Sequence, residues 1–150
     1  MKYEKITKFT KIVLDIMFYS GLVVWITIPV WLKLAGKYYS PSIRDNYVLM
    51  LLVFAAAGIC GILIVNQLRR MTGTVLNRDC FVMGNVKSLV VMSRLSLCIS
   101  VIFIIATIFM PTVTSLIIVL VFFIASLFSA VLSCVFREAI HYKEENDLTI

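Results

Sequence analysis

Charge is scarce in this 150-residue chain, and side chains able to do acid–base or covalent chemistry are scarcer still. Asp, Glu, Lys and Arg make up 15% of the residues, beside one histidine, three prolines and six glycines. Soluble domains carry roughly 25% charged residues, so this chain cannot cover itself with a water-facing surface. A zinc centre needs four converging ligands, and His141 is the only imidazole available. The four cysteines, Cys60, Cys80, Cys98 and Cys134, include no CxxC pair, and three lie in apolar runs where cysteine acts as a small hydrophobe. Neither a disulfide framework nor a metal centre is expected. There is no Gly-rich phosphate loop, no metal-binding helix motif, and no nucleophile beside a base. The expectation is a protein that is not an enzyme and carries no cofactor.

What is present is apolar. Hydrophobic residues make up 61% of the chain, and its mean hydropathy is +1.02. A core of this size cannot hide so much apolar surface, so the solvent must be lipid. Four runs, Ile12–Leu32, Tyr47–Val65, Leu89–Met110 and Thr112–Phe136, approach or exceed the roughly 20 residues a helix needs to cross a bilayer. Lysines before the first run suggest a signal peptide. The run is too long for one, however, and Lys33-Leu34-Ala35-Gly36 is a poor cleavage site. The expected fold is all-α, one domain over residues 1–150, a bundle of four transmembrane helices with a short acidic tail from 137 to 150.

The net charge of +6 is spread over short connections, which argues against direct nucleic-acid binding. Eleven of the fourteen basic residues fall at the N-terminus, the second connection with Arg94 just beyond it, or the C-terminus. Only Lys33, Lys37 and Arg44 fall on the other side. The positive-inside rule then places both termini and the middle loop in the cytoplasm. Trp25, Trp31, Tyr38, Tyr39 and Tyr47 cluster near the outer ends of the first two runs, as interfacial aromatics do. The short turn at Pro111 makes the last two spans antiparallel neighbours.

Asp15 and Arg94 are the charges set most clearly inside apolar runs, and ionisable groups there usually have a partner or a task. They sit at similar shallow depth, so an Asp15–Arg94 ion pair between the first and third spans is one reading. The other pairs Asp15 with Lys11 one turn back and lets Arg94 snorkel to headgroups. Ala57 and Gly61 in the second span, Ser93, Ser96 and Ser100 in the third, and Ser126, Ser129 and Ser133 in the fourth recur at helical spacing. Small residues on one face let helices approach closely in lipid, the reading preferred here to a polar conduit.

The loop Asn77-Arg78-Asp79-Cys80-Phe81-Val82-Met83-Gly84-Asn85-Val86-Lys87-Ser88-Leu89 and the ending Glu145-Asn146-Asp147-Leu148-Thr149-Ile150 resemble the bacterial membrane proteins grouped as domain of unknown function 2975. Members share a loop with Pro-Phe and a downstream Asn followed by Leu, then an acidic-Asp-Leu-Thr-aliphatic ending. Phe81, Asn85 and Leu89 match, Cys80 stands where the proline would be, and the ending matches throughout. Such proteins are often encoded beside a small helix-turn-helix DNA-binding protein, so the resemblance implies a bacterial cytoplasmic-membrane component of a regulatory pair.

The tail is expected to leave the membrane as a helix, fray near Asn146, and free Asp147, Leu148, Thr149 and Ile150 to anchor a cytoplasmic regulator. Its bland alternative is a solvated stop packed on the loops. Phe81 and Val82 are expected to pack under the bundle or dip into the interface, with partner contact the second reading. The functional expectation is a membrane regulator or sensor binding a cytoplasmic partner. The alternative is a small oligomeric transporter or efflux component.

Overall fold

The computed structural model describes residues 2–38, 41–77 and 79–148, except the side chains of residues 2, 3, 42 and 43. Thr149 and Ile150, half of the expected anchor, therefore lie outside the described residues, as does Tyr39. The chain forms α1 (Lys2–Tyr38), a short α2 (Pro41–Asp45), α3 (Tyr47–Leu76), α4 (Met83–Phe109) and α5 (Val113–Leu148). Four of these, α1, α3, α4 and α5, are long and apolar enough to cross a membrane. Each overruns its apolar stretch. At 1.5 Å per residue, α5's 36 residues span about 54 Å against a hydrocarbon core of about 30 Å. The polar overhangs keep helical geometry because the apolar part has already nucleated the helix, and adding further turns is cheap. The helix α1 runs without a break through Pro29.

The long helices pack in chain order: α1 on α3, α3 on α4, and α4 on α5. Among the described residues α1 makes no close approach to α4 or α5. Consequently α4, flanked on both sides, supplies most of the core: Val86, Leu89, Met92, Ile99 and Phe103 are buried, whereas α3 buries none of its residues fully. With the buried Ser96, those α4 positions recur every three or four residues, which puts them on one face of the helix. Elsewhere the apolar side chains point outward, as a lipid solvent requires.

Two glycines set close approaches. A Cβ on Gly58 would lie 2.5 Å from Trp25 Cδ1, and the Trp25 indole N–H donates to the Ala55 carbonyl at 3.0 Å. The bare backbone of α3 is thus the socket for an α1 indole. The expected small-residue pair Ala57 and Gly61 is displaced by one position: a Cβ on Gly61 would meet nothing within 4 Å. Gly36 does the same job for α2, whose Arg44 backbone would lie 3.4 Å from an added Cβ.

The serine stripes meet at the α4–α5 seam. Ser96, Ser100, Ser126, Ser129 and Ser133 are all buried. Ser93 donates to the Ser126 carbonyl at 2.9 Å and Ser100 to the Val119 carbonyl at 3.2 Å, both across the seam. At the turn, Thr107 donates to Ser115 Oγ at 2.8 Å, which donates to the Thr112 carbonyl. The Ser115 N–H bonds Thr112 Oγ1 at 3.2 Å, so Thr112 caps α5. Close packing with hydrogen bonds across the seam is how these serines are used.

Candidate interaction surface

Antiparallel packing in chain order gathers three features at one end of the molecule: the start of α1, the α3–α4 connection, and the projecting end of α5. The connection is held from within. Asn85, 2% exposed, donates through Nδ2 to Thr74 Oγ1 and to the Cys80 carbonyl, both at 2.8 Å. Its backbone N–H bonds the Val82 carbonyl at 2.9 Å, and the Asp79 N–H bonds the Thr74 carbonyl at 3.2 Å. One buried amide therefore ties the end of α3, the loop and the first turn of α4 together. Two donors satisfied by two different elements fix the loop's path, although Cys80 lacks the proline's fixed φ.

The loop is also held from the side. Phe81 stacks on Phe136 of α5, ring centroids 5.5 Å apart, and Ile140, one turn further, is buried. Lys143 Nζ lies 3.4 Å from Asp79 Oδ1, an exposed pair of small energetic weight. Of the loop residues singled out from sequence, Phe81 and Asn85 shape the connection, and Leu89 is a core residue on α4, 3% exposed. All three have internal packing partners or burial that account for them.

The tail differs from expectation. The helix continues through Asn146 to Leu148, so Asp147 and Leu148 are helical and not part of an extended peptide. Two polar contacts are made along this stretch, although its acidic residues oppose the helix dipole. His141 Nε2 sits 3.2 Å from Glu145 Oε1, one turn apart, and Lys143 reaches the loop. Beyond the braced base, Tyr142 is 59% exposed and Leu148 87%. The projecting end is thus a helix with a buried foot and an exposed, acidic end that carries Leu148.

The expected Asp15–Arg94 pair does not form. Asp15 accepts a hydrogen bond from Arg69 Nε at 2.6 Å, because α1 packs on α3 and makes no approach to α4. The Arg69 guanidinium also lies over the Phe18 ring at 4.5 Å and near that of Tyr19 at 5.6 Å. Asp15, Phe18 and Tyr19 share one face of α1 at i, i+3 and i+4, and together they clasp the arginine. Arg94 is exposed, and no carboxylate among the described residues pairs with it. The apolar run that marks the second span ends at Val65, but α3 continues about three turns further to Leu76 and so carries Arg69 on the helix.

A protein-family model described as "Protein of unknown function (DUF2975)" matches residues 31–150, and the chain belongs to that family. The match takes in α2 to α5 and the last turns of α1, leaving Asp15 outside it. No curated protein and no solved structure matches the chain.

Proposed function

We propose that this multi-pass membrane protein is not an enzyme but a regulatory or sensor component, which holds a cytoplasmic partner on the projecting end of α5. Both termini and the α3–α4 connection face the cytoplasm in this reading, supported by the concentration of eleven basic residues at that end. The bilayer concerned is a bacterial cytoplasmic membrane. The observation that carries the proposal is the helix end itself. Phe136 braces it against Phe81 of the loop and Ile140 is buried, yet it presents Tyr142 and Leu148 outward. A partner would meet a helix to be seated in a groove, not a strand to be added to a sheet. The partner is a helix-turn-helix regulator, the class that the resemblance implies.

The test is co-purification of membranes from cells carrying the full chain or a chain ending at Asn146. Loss of Asp147–Ile150 is expected to release the regulator into the soluble fraction while the detergent-solubilised protein keeps its melting temperature. A regulator that stays membrane-bound after the deletion rules out the α5 end as its anchor.

A further inference from the structure

Three basic residues stand apart from the rest. Lys33, Lys37 and Arg44 lie at the opposite end of the molecule from the other eleven, and all three line one open cleft of about 350 Å³ with Leu32, Gly36 and Tyr47. Two come from α1 and one from α2, drawn in by the close approach at Gly36. No carboxylate lines the cleft or pairs with any of the three cations among the described residues. Lys37 Nζ has one soft contact, 5.4 Å from the Tyr38 ring centroid. The Tyr47 hydroxyl is 3.4 Å from the Pro29 carbonyl, which ties α3 to α1 beneath the cleft. Three like charges facing one small volume repel one another, and an anion between them reverses the sign of that energy.

An apolar groove lies beside the cleft and shares Leu32 with it. Leu32, buried beneath the cations, also lines a groove of about 230 Å³ with Val24, Ile28, Trp31, Ala35 and Phe54, running down the α1–α3 seam. Trp31 of the groove, Tyr47 of the cleft and Tyr38 beside Lys37 are of the type that sits at headgroup level. A cationic cleft and an apolar groove set side by side at Leu32 offer the two chemistries of a phospholipid.

We propose that Lys33, Lys37 and Arg44 bind a phosphate group, and that the Leu32 groove beside them seats an acyl chain of the lipid carrying it. Lysine and arginine donors serve a phosphate oxygen through charge-assisted hydrogen bonds. This site is independent of the α5 end and stands or falls separately.

The experiment uses the full chain in nanodiscs of phosphatidylcholine containing increasing phosphatidylglycerol, with bound lipid counted by native mass spectrometry after release. K33Q/K37Q/R44Q is expected to lose about tenfold or more in preference for phosphatidylglycerol, the scale of several charge-assisted contacts. K5Q/K8Q/K11Q, which removes the same net charge from the other end, is expected to keep the preference. Equal loss in both variants, or none in the first, overturns the site. The lipid-free melting temperature of each variant separates lost binding from lost folding, and the single variants R44Q and K37Q give the same readout if the triple variant unfolds. Millimolar inorganic phosphate is the second arm. Failure to displace the lipid supports the lipid assignment, whereas displacement as effective as that by the lipid itself assigns the cleft to a soluble phosphate compound and overturns the acyl-chain half.

Discussion

Arg69 of α3 donates its Nε–H to the Asp15 carboxylate of α1 at 2.6 Å, under the faces of Phe18 and Tyr19. The two charged side chains keep about a quarter and a third of their surface exposed, so screening limits what the pair contributes. Asp15→Asn and Arg69→Gln are each expected to destabilise the solubilised protein by on the order of 1 kcal/mol. The arginine variant should cost more, because it also loses two ring contacts worth about 0.5–1 kcal/mol each at exposed sites. Exchanging the charges, Asp15→Arg with Arg69→Asp, is expected to recover part of the loss. The same exchange with Arg94 in place of Arg69 is expected to recover none, and thermal unfolding in detergent distinguishes the two.

The second test concerns helix approach. Gly58→Ala puts a methyl group 2.5 Å from Trp25 Cδ1, so the indole must leave its seat and its bond to the Ala55 carbonyl. A loss of about 1–3 kcal/mol is expected, as for other overpacked sites, with a shift in tryptophan emission. Gly61→Ala, three residues along the same helix, meets open space and is expected to be neutral or stabilising by up to about 1 kcal/mol. If the two variants melt together, the Trp25 socket is not what sets the α1–α3 distance.

These two sites also show what could be read from the chain and what could not. Four apolar runs near bilayer length specify four spanning helices, and serines at three- and four-residue spacing specify a close seam, since both signals depend on side-chain pattern alone. Helix ends are another matter. Beyond the hydrocarbon the chain turns polar, and nothing in Gln67 or Arg69 says that α3 persists, so Asp15's partner was hidden in an assumed loop. Likewise, Ala57, Gly58 and Gly61 are all small; only the rotation of α3 about its axis decides that Gly58 is the one that faces Trp25. Asp147 and Leu148, expected to hang free, are helical for the same reason: the polar sequence beyond the hydrocarbon does not itself mark where α5 ends.

Orientation is open to a direct measurement. Cys80 lies in the α3–α4 connection and is only part-buried. In a chain with Cys60, Cys98 and Cys134 replaced by serine, a membrane-impermeant thiol reagent is expected to spare Cys80 in intact cells and label it in inverted vesicles. A cysteine placed at Asp45, which is exposed at the end of α2, is expected to show the reverse. Labelling of both positions from the same side contradicts an antiparallel α3, and exchange of the two patterns inverts the topology.

Phe81 separates packing from partner binding. Its ring lies 5.5 Å from that of Phe136 at an interplanar angle of 46°, and Ile140 one turn on is buried, so the loop braces the base of the projecting helix. Phe81→Ala and Phe136→Ala are each expected to lower the melting temperature, by an amount below a fully buried phenylalanine's 3–5 kcal/mol because Phe81 is 46% exposed. In a double-mutant cycle the pair should show a coupling of about 0.5–1.5 kcal/mol, the range for interacting rings. A loop that only packs beneath α5 predicts that a regulator bound at Leu148 stays bound to the Phe81→Ala protein at temperatures where that protein is folded. Release of the regulator from folded Phe81→Ala, with no fall in melting temperature, would instead make the phenylalanine part of the docking surface and leave α5 without its brace.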